Sequence, residues 1–328
     1  MKSFASRVCL LNLVVIALFS IPIAAQNSGS IQGTVVDPQG KAIPGATIRA
    51  IDQDKGILVR EEKTSPDGTF LLQPLQPGTY TIRVSAAGMK DLESKNIVLD
   101  SRQVLSLGDL KMTLGETTES ITVEAILPLV ETATADHAAV IDSRQVLEIS
   151  MNGRDFQSLV RTLPGVVSND SSDFRLAFNN TDSFHVNGNR GSNNNVYLDG
   201  AINTDVGAND GQFTQLSMDA VGEFKLQTND FAAEYGRNPG VLLAIDTKAG
   251  KQQFHGTVWE FNREDGFDAN RFFNKVTSAG LSQAPVPNAK LRFNQYGFNI
   301  GGPIPLRKLS PWSNKKMFFF FNFEGTKA

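Results

Sequence analysis

The sequence has few of the residues on which covalent or metal-dependent chemistry depends. Its one cysteine, Cys9, lies in a segment that we expect to be removed, which leaves the mature chain without a disulfide bond or a thiolate. The three histidines, His137, His185 and His255, lie far apart, and none has a second ligand at helical spacing. Phosphate-binding loops, GxSxG motifs and dinucleotide fingerprints are also missing. We therefore predict no enzyme activity, no metal site and no cofactor.

The sequence also lacks a basic region. Lysine and arginine total 31 against 34 aspartates and glutamates, so the net charge is −3 and the pI is near 5.7. This balance predicts no nucleic-acid partner. The Asp/Asn-rich stretch from Asp199 to Asp210 offers oxygen atoms that suit calcium, but not at the spacing of a calcium-binding loop. We predict a solvated loop there.

The first 25 residues have the layout of a secretory signal peptide. Lys2 and Arg7 precede an apolar run from Val8 to Phe19, and small residues lead to Ala25 and the polar Gln26. The apolar run is shorter than the ~20 residues of a spanning helix. An uncleaved anchor is the alternative. We expect cleavage after Ala25.

Residues 26–114 alternate between short apolar strands and turns. In Thr79–Ser85 the alternation places Tyr80, Ile82 and Val84 on one face. Strands at this spacing, without a helical period, predict a small antiparallel β-sandwich. The turns that separate them contain Asp37-Pro38-Gln39-Gly40, Ile43-Pro44-Gly45, Ser65-Pro66-Asp67-Gly68 and Gln76-Pro77-Gly78.

The order of these motifs resembles that of the carboxypeptidase regulatory-like domain. The resemblance covers residues 28–114 and implies a transthyretin-like sandwich, a carbohydrate-binding-like fold. Carbohydrate contact and a passive periplasmic spacer are both open as roles. The motifs that carry the resemblance are Ile31-Gln32-Gly33-Thr34-Val35, Ile43-Pro44-Gly45-Ala46-Thr47-Ile48, Asp67-Gly68-Thr69-Phe70 and Pro77-Gly78-Thr79-Tyr80.

A polar linker, residues 115–127, contains a short strand-prone segment. Its residues are Glu119, Ser120, Ile121, Thr122 and Val123. A segment of this type can add to the sheet edge of another protein. It resembles the TonB box, the energy-coupling motif that precedes the plug of TonB-dependent receptors. An ordinary strand is the alternative.

Residues 128–250 are rich in Asn, Asp and Gly, and they predict a mixed α+β domain with long loops. Val140–Leu147 is predicted as a short helix or strand, and Phe156–Arg161 as a helix that ends at Leu163-Pro164-Gly165. Two further strands are predicted at Phe224–Leu226 and Val241–Ile245.

The motifs of this domain resemble, in order, those of the plug domain of TonB-dependent receptors. Oar-like receptors are the most similar group, since they carry the same regulatory-like module in front. Glu223-Phe224 and Ile245-Asp246-Thr247-Lys248 contribute to the resemblance. The plug-motif residues that it implies are Leu163, Pro164, Gly165, Asn187, Gly188, Arg190, Gly191, Asp199, Gly200, Tyr235 and Gly236.

Residues 251–328 change to an alternating, aromatic pattern. Three strands are predicted, at Phe254–Phe261, Leu291–Ile300 and Lys316–Glu324, and in the last strand Phe319, Phe321 and Phe323 share one face. This pattern is typical of transmembrane β-strands with one face toward lipid. Strands of a soluble sandwich are the alternative. Because a closed bacterial barrel needs at least ~8 strands, we predict an incomplete barrel and expect no transport by this chain alone.

Together these features predict a mainly β chain, the N-terminal portion of a TonB-dependent outer-membrane receptor whose sandwich lies in the periplasm. The resemblance implies three partners: the TonB energy-transducing complex, outer-membrane lipid and an unknown extracellular ligand. A secreted or surface carbohydrate-binding or adhesion protein is the alternative function. The substrate and the direction of transport stay open.

Overall fold

The fold comes from a computed structural model of the chain. The mainly β fold class is confirmed, and among the described residues no helix is both long and apolar enough to cross a membrane. The predicted signal peptide lies outside the described residues. The structure describes residues 27–115, 120–124, 137–149, 154, 157–160, 162–168, 184–205, 207, 212–214, 216–229, 235, 237–270, 287–288, 290–304 and 317–327.

The first domain is a sandwich of two sheets. A three-stranded sheet has the order β4-β1-β7, and a five-stranded sheet has the order β3-β2-β5-β6-β8. The strands are β1 (Gly29–Val36), β2 (Thr47–Asp52), β3 (Ile57–Lys63), β4 (Thr69–Leu75), β5 (Gly78–Ser85), β6 (Asp91–Leu99), β7 (Val104–Lys111) and β8 (Ser120–Glu124).

The core of the sandwich forms where the inward faces of the two sheets meet. Tyr80, Ile82 and Val84 of β5 are each at most 1% exposed, as the alternation predicted. They pack with Ile31 of β1 and Leu72 of β4 from the facing sheet. Burying a large apolar side chain contributes about 1.5–3 kcal/mol, so this layer supplies the main favourable free energy of the domain.

The prediction of a purely antiparallel sandwich is wrong at two places. Strand β1 pairs in parallel with β7, and β6 pairs in parallel with β8. Both parallel partners come late in the domain and reach their sheets across a long connection, whereas sequential strands joined by short turns pair antiparallel. Alternation along a strand gives its faces but not the direction of its neighbour.

The middle domain is built on a five-stranded sheet of order β13-β12-β15-β14-β9. A separate hairpin pairs β10 with β11. The elements are β9 (His137–Asp142), α1 (Ser143–Glu148), α2 (Gln157–Val160), β10 (Val166–Ser168), β11 (Phe184–Val186), η1 (Gly191–Asn193), β12 (Asn195–Leu198), β13 (Ala201–Ile202), η2 (Met218–Ala220), β14 (Val221–Asn229) and β15 (Leu242–Thr247).

The middle domain has its own core. Phe224 of β14, Leu243 of β15 and Val196 of β12 are fully buried, and Val146 of α1 packs onto them. The segment predicted as either helix or strand contains both, because Asp142 ends β9 and caps α1. Its side chain accepts hydrogen bonds from the backbone N–H groups of Arg144 and Gln145.

The C-terminal sheet has three antiparallel strands, which are longer than predicted but begin within a residue of the predicted positions. The order is β16-β17-β18, with continuous pairing between neighbours. The longer strands follow from pairing, since each added cross-strand hydrogen bond extends the ladder beyond the apolar alternation. The strands are β16 (His255–Glu264), β17 (Arg292–Ile304) and β18 (Met317–Lys327).

The two faces of this sheet differ in polarity. Val258, Phe298 and Phe323 lie side by side in register on one face, where they are 84%, 41% and 47% exposed. The opposite face carries Trp259 and Asn299, each 8% exposed. An exposed aromatic face of this kind marks an interaction surface, and here it suits lipid.

Candidate functional site: the coupling segment and the domain interface

The predicted coupling segment is a strand of the sandwich. Glu119 lies outside the described residues, while Ser120–Glu124 forms β8 at the edge of the five-stranded sheet. It pairs in parallel with β6 over five consecutive positions, from Asp91↔Ser120 to Lys95↔Glu124. The segment that the sequence assigned to a linker is therefore extended and hydrogen-bonded to its own domain.

A polar interface joins the sandwich to the middle domain. The sandwich contributes the turn between β6 and β7, with Ser101 fully buried and Arg102 9% exposed. It also contributes Asn27, whose side-chain amide donates a hydrogen bond to Oδ1 of Asp246 on β15. The sequence does not predict this interface, because none of its sandwich residues belongs to a motif or to a periodic pattern. We call these residues and their partners the domain interface.

Arg102 is the central cation of the domain interface. Its guanidinium carbon lies 4.2 Å from the centroid of the Tyr235 ring and 5.1 Å from that of Tyr197. The two rings are 5.4 Å apart and nearly perpendicular, at 88°. Arg102 Nη2 also donates to Asn27 Oδ1 over 3.4 Å. When a cation is desolvated, each contact with an aromatic face stabilises it by about 2 kcal/mol.

The backbone of Ser101 is held from both sides by charged residues of β14. Its N–H donates to Glu223 Oε1 at 2.9 Å, and its carbonyl oxygen accepts from Lys225 Nζ at 3.1 Å. Lys225 is only 2% exposed, so its ammonium group depends on this contact and on nearby carboxylates. Two directed hydrogen bonds, as well as burial, therefore fix the position of this turn against β14.

Burial at the domain interface shifts the carboxyl groups toward their neutral form. The pKa of Glu223 rises to about 7, because desolvation and the nearby Asp100 and Asp246 outweigh Lys225 and the Ser101 backbone. Desolvation likewise raises the pKa of Asp246 and of Asp100, although Arg102 and Lys225 respectively oppose the rise. All three shifts favour protonation in the docked state.

The domain interface should therefore weaken as the pH rises. The pKa of Glu223 is 4.5 in water and about 7 in the fold, so the folded state binds the proton more tightly and stability falls between these values. At ~1.4 kcal/mol per pKa unit the loss is at most about 3.5 kcal/mol. We expect a lower melting temperature at pH 8 than at pH 5.5, measured by circular dichroism in detergent. Glu223→Gln should reduce this pH dependence.

A matched control is Glu148→Gln, which alters an exposed glutamate on α1 that pairs with Arg144. Its pH dependence should equal that of the parent chain. A Glu223→Gln chain with the full pH dependence of the parent would assign the effect to other groups.

A cavity of about 490 Å³ lies beside the domain interface. The sandwich lines it with Asp52 and Asp100, the middle domain with Glu223 and Lys248, and the C-terminal sheet with His255, among others. No group of three or more His, Cys, Asp or Glu residues in the described ranges is arranged to hold a metal ion. The cavity is a gap where these three units meet.

Two of the predicted plug motifs come together in a hairpin. The Leu163-Pro164-Gly165 turn leads into β10, and Asn187-Gly188 follows β11, so the β10–β11 pairing brings them into contact. The Asn187 N–H donates to the Gly165 carbonyl oxygen at 3.0 Å. Gly165 has a φ of +79°, which disfavours any residue with a Cβ there. Leu163 packs against the core of the middle domain.

The other plug-motif residues lie at the ends of β12 and near the domain interface. Asp199 accepts hydrogen bonds from the backbone N–H and the hydroxyl of Thr247, at 2.8 and 2.9 Å, and so ties β12 to β15. Arg190 is exposed before η1, whereas Gly191 and Gly200 are buried. Tyr235 contacts Arg102, as described above. Gly236 lies outside the described residues.

The middle domain also contacts the polar face of the C-terminal sheet. Ser217 Oγ donates to Glu324 Oε2 at 2.7 Å, and Glu324 Oε1 accepts from Gln295 at 2.7 Å. Arg154 pairs with Asp219, and its guanidinium lies 4.0 Å from the centroid of the Phe261 ring. Desolvation raises the pKa of Asp219, and Arg154 opposes that rise. The domain therefore packs on the face opposite the exposed phenylalanines.

Comparison with known proteins identifies two domain families in the chain. Residues 30–113 match the carboxypeptidase regulatory-like domain, and residues 246–328 match an outer membrane beta barrel domain. The first match covers the sandwich, and the second covers the C-terminal sheet. Both agree with the resemblances that the sequence motifs suggested.

A curated relative spans both domains. The chain is 23% identical over 299 residues to the TonB-dependent transporter Oar of Myxococcus xanthus. The matched region covers 87% of this chain and 26% of the relative. The chain thus spans about a quarter of the length of that transporter.

Solved structures resemble parts of the chain only distantly. The ferric enterobactin receptor PfeA of Pseudomonas aeruginosa is 16% identical, with 57% of this chain and 24% of that chain covered at a TM-score of 0.35. The siderophore receptor PirA of Acinetobacter baumannii is 18% identical, with 56% and 24% covered at a TM-score of 0.32.

The two domain families occur here in one chain, and the homology to a transporter runs through both of them and the domain between them. The predicted resemblance is thereby confirmed. The chain is similar to Oar-like TonB-dependent receptors.

Proposed function

We propose that the chain is part of an outer-membrane receptor that takes up a substrate by TonB-dependent transport. The observation that carries the proposal is the homology to a TonB-dependent transporter over 87% of the chain. The C-terminal sheet is then the beginning of the barrel wall, and the sandwich lies on the periplasmic side. The substrate is an extracellular ligand that the relative's name does not specify.

The middle domain is the plug of this receptor. The packing of this domain on the polar face of the C-terminal sheet supports this role. Ser217 contacts Glu324 there, and Arg154 contacts Phe261. The exposed aromatic face points the other way, where lipid would cover it. A plug inside a barrel needs this arrangement, because the wall must be apolar outside and polar inside.

Coupling in this proposal is mechanical, so the chain is not an enzyme. A partner pulls on Glu119–Val123 after pairing with it strand to strand, and the force rearranges the plug. Main-chain hydrogen bonds carry the pull, which requires no nucleophile and no general base. The homology to a transporter favours this role over the carbohydrate-binding alternative.

A peptide of residues 116–127 tests the coupling segment away from its own domain. We expect it to bind the periplasmic domain of TonB, and the same peptide with Ile121→Pro to bind at least ~10-fold more weakly, because one ladder hydrogen bond is lost and the proline ring disturbs pairing. Isothermal titration calorimetry measures both. An Ile121→Val peptide, which keeps a strand-forming residue, is the control. Equal binding by the proline and parent peptides would return the segment to an ordinary strand.

A further inference from the structure

The edge of β6 is built to receive a strand. On its inner side β6 pairs with β5, through Val84↔Leu92 and Arg83↔Glu93. Its other side would expose unpaired N–H and C=O groups if nothing lay beside it, which is the usual liability of an edge strand. Strand β8 covers the first five residues of that side, without a shift in register.

The chain that leads to β8 is fastened beside the start of β6. The Lys90 N–H donates to the Thr113 carbonyl oxygen at 2.9 Å, and Met89 forms an antiparallel bridge with Leu114. A Cβ on Gly115 would lie 2.5 Å from Cγ of Lys90, so the backbone approaches this side chain closely. Only residues 116–119 then separate the fastened strand from β8.

A tether this short makes the pairing of β8 with β6 an intramolecular event. Short links give effective concentrations in the millimolar range. Any other protein that binds the same strand therefore competes with β6, which is present at about that effective concentration. A separate protein at micromolar concentration starts at a disadvantage unless the segment first leaves β6.

We propose that the β6 edge is the resting binding site of the coupling segment, and that the energy-coupling partner must displace β6 to bind. This inference rests on the proposed function, since it assigns a second binding partner to the same segment. The regulatory-like sandwich then limits access to the segment. Among the described residues no strand pairs with the outer edge of β8, so the competing possibility is that a partner adds to β8 without releasing it.

A disulfide between opposed positions tests the displacement. Glu93 and Thr122 face each other in register, and Cys9 is the chain's single cysteine, so a chain with Cys9→Ser, Glu93→Cys and Thr122→Cys contains only the designed pair. Opposed strand positions lie within the Cα separation that a disulfide spans. We expect mild oxidation to cross-link the full chain in detergent, as read by intact mass and free-thiol labelling.

The oxidised chain should bind the periplasmic domain of TonB at least ~10-fold more weakly than the same chain after reduction, measured by biolayer interferometry. The reduced form is the control for the substitutions themselves. A chain with Lys95→Cys and Ser120→Cys is the control for register, since these positions are offset by four residues, ~13 Å, and should not cross-link.

The outcomes separate the two proposals. If the designed pair does not cross-link, β8 does not rest on β6 and the inference is overturned. If it cross-links and the oxidised and reduced chains bind TonB equally, the partner uses the open edge and displacement is overturned. If the free 116–127 peptide fails to bind TonB, the proposed function fails first, and the competition fails with it.

Discussion

Replacement of Ile82 by aspartate is expected to unfold the sandwich. Ile82 of β5 is fully buried at the centre of the five-stranded sheet. Its cross-strand partners are Ala50 of β2 on one side and Ser94 of β6 on the other. The change removes about 1.5–3 kcal/mol of apolar burial and places a carboxylate among the apolar side chains of the sandwich core. The combined loss, above about 4 kcal/mol, is comparable to the ~5 kcal/mol at the lower end of domain stabilities.

The measurement is thermal unfolding followed by circular dichroism, on an excised module of residues 27–124 and on the full chain. The parent module should show a strand spectrum and one cooperative transition, and the Ile82→Asp module should show none. Arg83→Ala is the control from the next position, because Arg83 is half-exposed and its contact with Glu93, at 3.5 Å, is a surface ion pair worth about 1 kcal/mol or less. A cooperative melt of Ile82→Asp at the parent temperature would contradict the assigned core.

Replacement of Arg102 by alanine is expected to separate the sandwich from the middle domain while both stay folded. The change removes the contacts with Tyr235 and Tyr197 and takes away the cation that opposes the rise in the pKa of Asp246. Loss of one member of a buried charged group costs about 3–5 kcal/mol. That is a large fraction of what an interface between domains supplies.

Hydrogen exchange measured by mass spectrometry distinguishes undocking from unfolding. We expect faster exchange at the Ser101 amide, which donates to Glu223, and unchanged exchange in the core of β5. Arg102→Lys should fall between parent and alanine, because lysine keeps the charge without the planar group that stacks on rings. Arg49→Ala, at an exposed ion pair with Glu61, is the control. Unchanged protection at Ser101 in Arg102→Ala would show that docking does not depend on this cation.

These two expectations differ in how far the sequence anticipates them. The inward face of β5 follows from alternation, and Tyr80, Ile82 and Val84 are buried as that pattern predicts. Turn positions are equally local: Gly40 and Gly68 sit in the predicted turns with φ values of +84° and +76°. A residue whose structure depends on its immediate neighbours can be assigned from the sequence by itself.

The C-terminal strands were also predictable. Alternation of phenylalanine along β18 identified the exposed face, and the described register places Phe321 and Phe323 beside Ile300 and Phe298. The sequence did not predict the length of the strands or the partner of the opposite face, because these depend on the neighbouring strands and on the middle domain.

The sequence by itself determined the strand faces, the turns, the order of the domains and the resemblance to a receptor family. Tertiary structure alone decided the contacts between residues that are remote along the chain. Ser101 meets Glu223 across 122 positions, and the coupling segment rests on β6 rather than in a free linker. No local pattern encodes such contacts. An edge strand or a buried arginine can bind any suitable partner, and the packing of whole domains decides which partner comes within hydrogen-bonding distance.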